Sequence, residues 1–231
     1  MGERPYTILS CGMSLDGYLD AADNERLVLS NQADLERVDA VRAECDAILV
    51  GAATVRNDNP RLLVRSRALR QQRRSRGLDE TPMKVTITQQ ADLDACSSFF
   101  ATGDSEKLVY CASRAVPAAK RRLEAVATVI DGGQPVDLPQ MVQDLFDRGV
   151  RRLMVEGGGR VHTQFLTADL ADELHLVIAP FFVGNSRAHR FVGDGAFPWN
   201  PGRRANLAET RQIGDVVLLR YALSSRFAAT S

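Results

Sequence analysis

The chain reads as an α/β fold in three layers, a mostly parallel central sheet with helices on both faces. Three observations carry this. Short apolar runs alternate with helix-like segments at close spacing, the pattern of parallel strands joined by crossover helices. The runs are continuously apolar, as in Leu153-Met154-Val155, which suits strands covered on both faces. One run ends in Glu156 and three glycines, Gly157, Gly158 and Gly159, directly before a helix-like stretch. Ligands of such sheets sit beyond the C-terminal strand ends, where Met13, Thr54, Thr88 and Glu156 fall.

Taken in order, residues 6–13 (Tyr-Thr-Ile-Leu-Ser-Cys-Gly-Met) form a buried first strand. The chain then turns at Asp16-Gly17, a pair with a backbone reason to turn. Residues 24–30 are loop. Asn31 can cap a helix whose face is Leu35, Val38, Val41 and Cys45, with Arg42 beside that stripe. Residues 47–50 (Ala-Ile-Leu-Val) are a second buried strand ended by Gly51, with Thr54 just past it. Pro60 blocks a helix and is expected to push Asn59 to extended geometry. Residues 67–81 hold Arg70, Arg73, Arg74 and Arg76 among glutamines and read as a solvated surface loop, the alternative being a partner-binding patch.

Residues 85–88 and 108–111 read as strands, 117–126 as a helix, 128–130 as a strand, and 138–148 as a helix before Gly149. After the glycine turn, residues 174–179 are a strand closed by Pro180. Residues 181–213 read as a long connection and 216–222 as the last strand. No internal repeat or low-complexity segment is present in the sequence.

With 231 residues, one domain over 1–231 is expected. The 29 basic and 29 acidic residues balance to zero net charge, so nothing calls for nucleic acid or an anionic membrane surface. No apolar run approaches the roughly 20 residues of a membrane-spanning helix, and no signal-peptide pattern opens the chain. A cytoplasmic protein follows. Cys11, Cys45, Cys96 and Cys111 are widely spaced and read as reduced thiols. His162, His175 and His189 show no metal spacing, so no metal is expected.

The glycine stretch carries the chemistry. Consecutive glycines tolerate positive φ and let another group approach the backbone. A helix start adds unpaired N–H groups and the positive end of the helix dipole. Together they make a site for a phosphate or pyrophosphate, the alternative being a tight turn without ligand. A carboxylate beside an anion site is costly unless it faces donors, so Glu156 points to a second ligand.

Several stretches resemble the pyrimidine reductase domain of riboflavin biosynthesis. They are Gly12-Met13-Ser14-Leu15-Asp16-Gly17, the pattern Ala53-Thr54-Val55-x-x-Asp58-x-Pro60-x-Leu62-x-Val64-Arg65, and Val155-Glu156-Gly157-Gly158. The run Gly157 to Val161 with Phe165-Leu166 is also similar to dihydrofolate reductase, which shares the fold. The resemblance implies a dihydrofolate-reductase-like sheet with an antiparallel C-terminal strand. It also implies NADPH as hydride donor and an activity like that of 5-amino-6-(5-phosphoribosylamino)uracil reductase. A phosphorylated ribosylaminopyrimidine would be reduced to its ribitylamino form.

Carried over by position, Gly12, Met13, Thr54, Asp58, Gly157, Gly158, Gly159, Arg160, Val161, His162, Thr163 and Gln164 are expected cofactor contacts. Thr88 would lie at the adenosine 2′-phosphate. Arg42, Leu62, Arg65 and Glu156 are expected at the substrate, with Asp58 and Glu156 as the catalytic pair.

The residue types agree with these roles. Two guanidinium forks suit a sugar phosphate, though Arg42 and Arg65 could equally be an exposed helix residue and an exposed loop residue. Asp58 could cap the turn before Pro60 instead of serving the nicotinamide ribose or a proton path. The chain departs from the bifunctional enzymes at Ser10, where bacterial members often carry Lys, and at Arg26 and Val28, where they carry Ser and Trp. The zinc deaminase module of those enzymes is absent from this sequence, so a stand-alone reductase is expected. A homodimer built on strands 174–179 and 216–222 is expected too. Two other readings stand beside this one: a pterin reductase with dihydrofolate-like activity, and a non-catalytic nucleotide-binding protein.

Overall fold

The structure, a computed structural model, describes residues 3–22 and 27–227. Residues 24–26 of the expected 24–30 loop, Arg26 among them, lie outside the described residues. In chain order the elements are β1 (Tyr6–Ser14), α1 (Gln32–Glu44), β2 (Ala47–Gly51), α2 (Ala52–Asp58), α3 (Arg67–Ser75), β3 (Met83–Thr88), α4 (Ser98–Ala101) and β4 (Lys107–Cys111). Then come α5 (Val116–Leu123), β5 (Thr128–Asp131), α6 (Leu138–Asp147), β6 (Arg152–Gly157), α7 (Gly159–Thr167), β7 (Glu173–Ala179), β8 (Asn206–Ile213) and β9 (Val216–Ala222). The strands are mixed and mostly parallel, and the last two are antiparallel, as expected.

Two compact units divide the chain, one over Val38–Met154 with the chain start, the other over Tyr6–Arg37 and everything from Val155 on. In the first, β2, β3, β4 and β5 lie side by side in parallel. The Ala-Ile-Leu-Val-Gly sequence of β2 is buried at every position, because apolar side chains leave on both faces. Phe99, Leu108, Leu123, Met141 and Leu145 fill the space around these strands.

The arginine-rich stretch 67–81 is not a solvated loop. Residues 67–75 form α3, capped by Ser66, whose hydroxyl accepts from Leu69 N. Arg73, 3% exposed, donates to the carbonyl oxygens of Ala43 (2.9 Å), Cys45 (2.7 Å) and Asp79 (2.8 Å). Ala43 lies in the last turn of α1, where carbonyls have no intrahelical partner and the dipole favours a cation. Composition hid this, since an arginine spent on carbonyls looks the same in sequence as one spent on water.

Asn59 also departs from expectation. It takes left-handed φ 44 and ψ 53 as the C-cap of α2, not the extended geometry that Pro60 favours. Asparagine tolerates that region, and its side-chain oxygen accepts from Ser98 N at 2.6 Å, which fixes it there. In α1 the buried residues include Asp34 and Asp39, while Leu35 and Val38 are half-buried, so charge sits deeper than the apolar stripe indicated. Asn31 caps the helix as expected, accepting from Asp34 N at 3.0 Å.

In the second unit β1 pairs in parallel with β7, and β7, β9 and β8 follow in antiparallel. β7 is buried nearly throughout and is core of its own unit. Strand β8 lies within what reads as connection 181–213. Its residues are exposed or half-buried on both faces, so no apolar alternation announces it. Asn31 Nδ2 donates to Ile213 O (2.6 Å) and Asp215 (2.8 Å), holding the β8–β9 turn.

A buried charge chain crosses these strands. Arg37, a donor only, meets His175 Nδ1 at 3.3 Å, so His175 Nε2 donates to Glu173 at 2.6 Å. Arg220 grips Glu173 and Glu209 at 2.5 and 2.8 Å. Burial raises the pKa of Glu173, but the His175 and Arg220 hydrogen bonds outweigh it and hold the carboxyl at about 2. Burial lowers the pKa of His175 despite Glu173.

Two predictions follow from this packing. Arg73→Met leaves three carbonyls without their donor and should cost about 3 kcal/mol in urea unfolding; a loss below about 1 kcal/mol would deny Arg73 this role. The charge chain sets an acid limit. Below 6.5 the unfolded chain protonates His175 before the folded one does, and below 4.5 the same holds for Glu173. Stability should therefore fall as pH drops through 6.5 and further from 4.5 toward 2. Glu173→Gln should be less stable near neutrality and lose less below 4.5. A variant with the wild-type slope there would take Glu173 out of this account.

Candidate active site

In the first unit three of the four expected substrate residues, Arg42, Leu62 and Arg65, gather at one loop, 62–66, and the helices that hold it. Leu62 is 3% exposed and adopts φ 49, a left-handed conformation rare for a leucine. Such strain persists where surroundings over-determine it, and it collects at functional sites. Arg42, in the last turn of α1, is half-buried and donates to Leu63 O at 3.1 Å.

Arg65 keeps half of its side chain exposed, with Nε 3.8 Å from Asp39. Its backbone is clamped from two sides. Asp39 accepts from Arg65 N and Ser66 N, both at 2.7 Å. Arg70 of α3 donates to Val64 O (3.0 Å) and Arg65 O (2.6 Å). Sequence reading missed Asp39 and Arg70 as positioning residues; the only trace was Asp39 lying three positions before Arg42 on one helix face.

Thr54, half-buried, sits in the first turns of α2, and Asp58 is the exposed last residue of that helix. Thr88 ends β3 and is 5% exposed. Its hydroxyl oxygen accepts from Gln90 N (3.3 Å) and Ala91 N (3.0 Å), so it shapes the turn and keeps its own hydrogen to donate.

In the second unit Gly12 and Met13 lie near the end of β1, half-buried. A Cβ at Gly12 would stand 3.3 Å from Leu29 Cβ. Asp16, in the following turn, accepts from Val183 N (3.0 Å), Gly184 N (2.7 Å) and Ser14 Oγ (2.6 Å). These bonds, that of Ser14 first, hold its pKa at about 2. Ser10, where the bifunctional enzymes often have Lys, is buried in β1, and Val28 is strongly exposed.

Glu156 is half-buried, one residue before the end of β6. Gly157 then takes φ 112, the Gly157–Gly158 peptide is cis, and Gly158 is the N-cap of α7. Among the described residues no side chain caps this helix, which leaves first-turn N–H groups open to an outside acceptor. A Cβ at Gly159 would overlap the carbonyl oxygen of Arg190. The close approach that three glycines implied is thus made at Gly159 by the chain itself.

Arg160 is exposed, Val161 and His162 are buried, and Gln164 is half-buried. Thr163 Oγ1 donates to Gly159 O (2.7 Å) and accepts from Gly193 N (2.9 Å). A cavity of about 1000 Å³, lined by residues of β8, β9 and flanking loops, contains none of the residues singled out in the sequence.

The RibD C-terminal domain family matches residues 5–219. A 2,5-diamino-6-ribosylamino-4(3H)-pyrimidinone 5′-phosphate reductase of Archaeoglobus fulgidus is 36% identical over 97% of this chain and 99% of that protein. The reductase of the same name in Methanothermobacter thermautotrophicus is 33% identical over 95% and 99%. Among solved structures, a pyrimidine reductase-like protein of Corynebacterium diphtheriae superposes with a TM-score of 0.80 at 23% identity, covering 94% and 91% of the two chains. Dihydrofolate reductase of Enterococcus faecalis superposes at 0.50 and 11% identity, over 96% and 98%. The two structures share the fold; the family match and the full-length relatives go further, and by them this chain belongs to the RibD C-terminal domain family.

Proposed function

We propose that the protein is an NADPH-dependent reductase of riboflavin biosynthesis. It reduces the ribosylamino group of a 5′-phosphorylated pyrimidine to a ribitylamino group. The observation that carries this is the likeness to the Archaeoglobus reductase along the whole of both chains. That relative and its namesakes are named for the 2,5-diamino compound, which favours the non-deaminated pyrimidine over the uracil. We assign residues 1–231 to one cytoplasmic reductase domain. Among the described residues no helix is long and apolar enough to cross a membrane.

The uncapped N-terminus of α7, opening on Gly157 and Gly158, fits a dinucleotide pyrophosphate. Arg160, Thr163 and Gln164 continue that surface with Val161 buried behind it, Gly12, Met13, Thr54 and Asp58 serve the nicotinamide half, and Thr88 the 2′-phosphate. When bound, the reduced nicotinamide supplies the hydride to the ribose C1′. The chain's own task is orientation and proton supply. Arg42 and Arg65 bind the substrate phosphate, Leu62 packs against the substrate, and Glu156 accepts from the amino-rich pyrimidine. Asp58, exposed at the end of α2, lies on the proton path to the opening ring.

The decisive experiment measures NADPH consumption side by side with the diamino and the deaminated ribosylaminopyrimidine phosphates and with dihydrofolate. The diamino compound should be turned over best; turnover of dihydrofolate alone would overturn the proposal. On the best substrate, Arg65→Ala should raise KM roughly thirtyfold, as loss of about 2 kcal/mol predicts, with NADPH affinity near normal. Arg70→Ala, which only releases the loop, should raise KM less. Glu156→Gln should lower kcat/KM, and Asp58→Asn should lower kcat most. Wild-type turnover in Asp58→Asn would pass proton supply to water or to the substrate itself.

We also propose a homodimer. The support is β8, an edge strand exposed or half-buried along its length, with Leu207 and Val217 of the β8–β9 hairpin open to solvent. Exposed strand edges of this kind are normally covered. Sedimentation at micromolar concentration should give the mass of two chains, and a single-chain mass would refute this.

A further inference from the structure

We infer that His162 is a positioning residue for the cofactor, a flat spacer that sets the shape of the glycine turn from beneath. This rests on the nicotinamide-nucleotide reading above. A Cβ at Gly157 would stand 3.0 Å from His162 Nε2 and 3.5 Å from Cδ2. The imidazole therefore occupies the space that any side chain at 157 would need. The Phe191 ring lies 5.4 Å away, inclined at 53°. Its neighbour Arg190 presents the carbonyl oxygen that excludes a side chain at Gly159. The ring is thus wedged between Gly157 and the segment that also limits Gly159.

The chemistry of the ring supports a role in shape. His162 is 1% exposed, and among the described residues its Nδ1 has no hydrogen-bond partner. An unmade buried hydrogen bond costs stability that an apolar side chain would not, so folding alone does not account for a histidine here. Burial is the only cause drawing its pKa down, to about 4; no charged side chain takes part. The ring stays neutral near neutral pH and adds no charge below the turn.

The test compares His162→Leu and His162→Phe with the wild type by NADPH and NADH titration, substrate KM, and thermal unfolding. Leucine removes the flat ring and the unpaired nitrogen together. His162→Leu should fold with equal or higher melting temperature near neutrality, bind NADPH roughly tenfold more weakly, and keep substrate KM near normal. It should also lose less stability than wild type between pH 6.5 and 4, where the unfolded histidine protonates first. His162→Phe keeps a flat ring and should retain NADPH affinity.

If His162→Leu does not fold, His162→Met, which also lacks the ring and the nitrogen, takes its place with the same expectation. NADPH affinity unchanged in the ring-less variant would overturn the inference. So would a phenylalanine variant as weak as the leucine one, which would assign the role to the nitrogen. A wild type that binds neither NADPH nor NADH would sink the nicotinamide reading itself, and the inference with it.

Discussion

An aspartate that accepts two consecutive backbone N–H groups is the interaction on which the rest of this structure depends. It occurs at three junctions. Asp39 takes Arg65 N and Ser66 N, Asp46 takes Arg151 N and Arg152 N at 2.8 and 2.9 Å, and Asp16 takes Val183 N and Gly184 N. The first two lie where the chain enters α3 and β6 and the third within the connection after β7, each with donors that no strand or helix satisfies. A buried unpaired donor is expensive, and an ionised carboxylate accepts two of them with charge-assisted strength. The loop with Arg65, the strand leading to Glu156 and the segment that packs on α7 each take their position from one of these carboxylates.

Arginine answers the same need from the other side. Arg73 and Arg70 spend their donors on carbonyls, one at the end of α1 and one on loop 62–66. The planar fork of five donors suits such work, and lysine with its single point charge does not. Arg65, in contrast, keeps half its side chain in solvent. Within one short stretch the same residue type is buried scaffold and half-exposed charge.

That distinction explains what was legible in the sequence. Strands β1, β2, β3, β4, β6 and β7 and helices α5, α6 and α7 announced themselves, because each buries an apolar run or face. Strands β5 and β9 and helix α1 were legible too, though β5 and β9 stay largely half-buried or exposed and α1 buries Asp34 and Asp39. The glycine turn and the residue pattern 53–65 also stood out, being local in sequence. Helix α3 did not, since its buried residue is Arg73 and two of its three partners, Ala43 and Cys45, lie far back along the chain in and after α1. Strand β8 did not, because it buries no face. Asn59 went against its neighbour Pro60 because a hydrogen bond to Ser98 N, far along the chain, decided its conformation. Asp39 was silent for the same reason: its role is set by contacts, and periodicity carries none. His162 was named through the resemblance, but its burial against Gly157 was not legible.

The three glycines show how far a motif can be separated into causes. Gly157 must be glycine because φ 112 and the His162 ring both exclude a side chain. Gly159 must be glycine because the Arg190 carbonyl occupies its Cβ position. Neither constraint involves a ligand. What remains for a ligand is the N-cap at Gly158, where no side chain completes the helix. A Ser or Asp there would cap α7 and stabilise it by about 1 kcal/mol, yet it would also occupy the donors an anion needs. The absence of a cap is therefore the part of the motif that packing does not explain, and it is the part that binding a pyrophosphate would require.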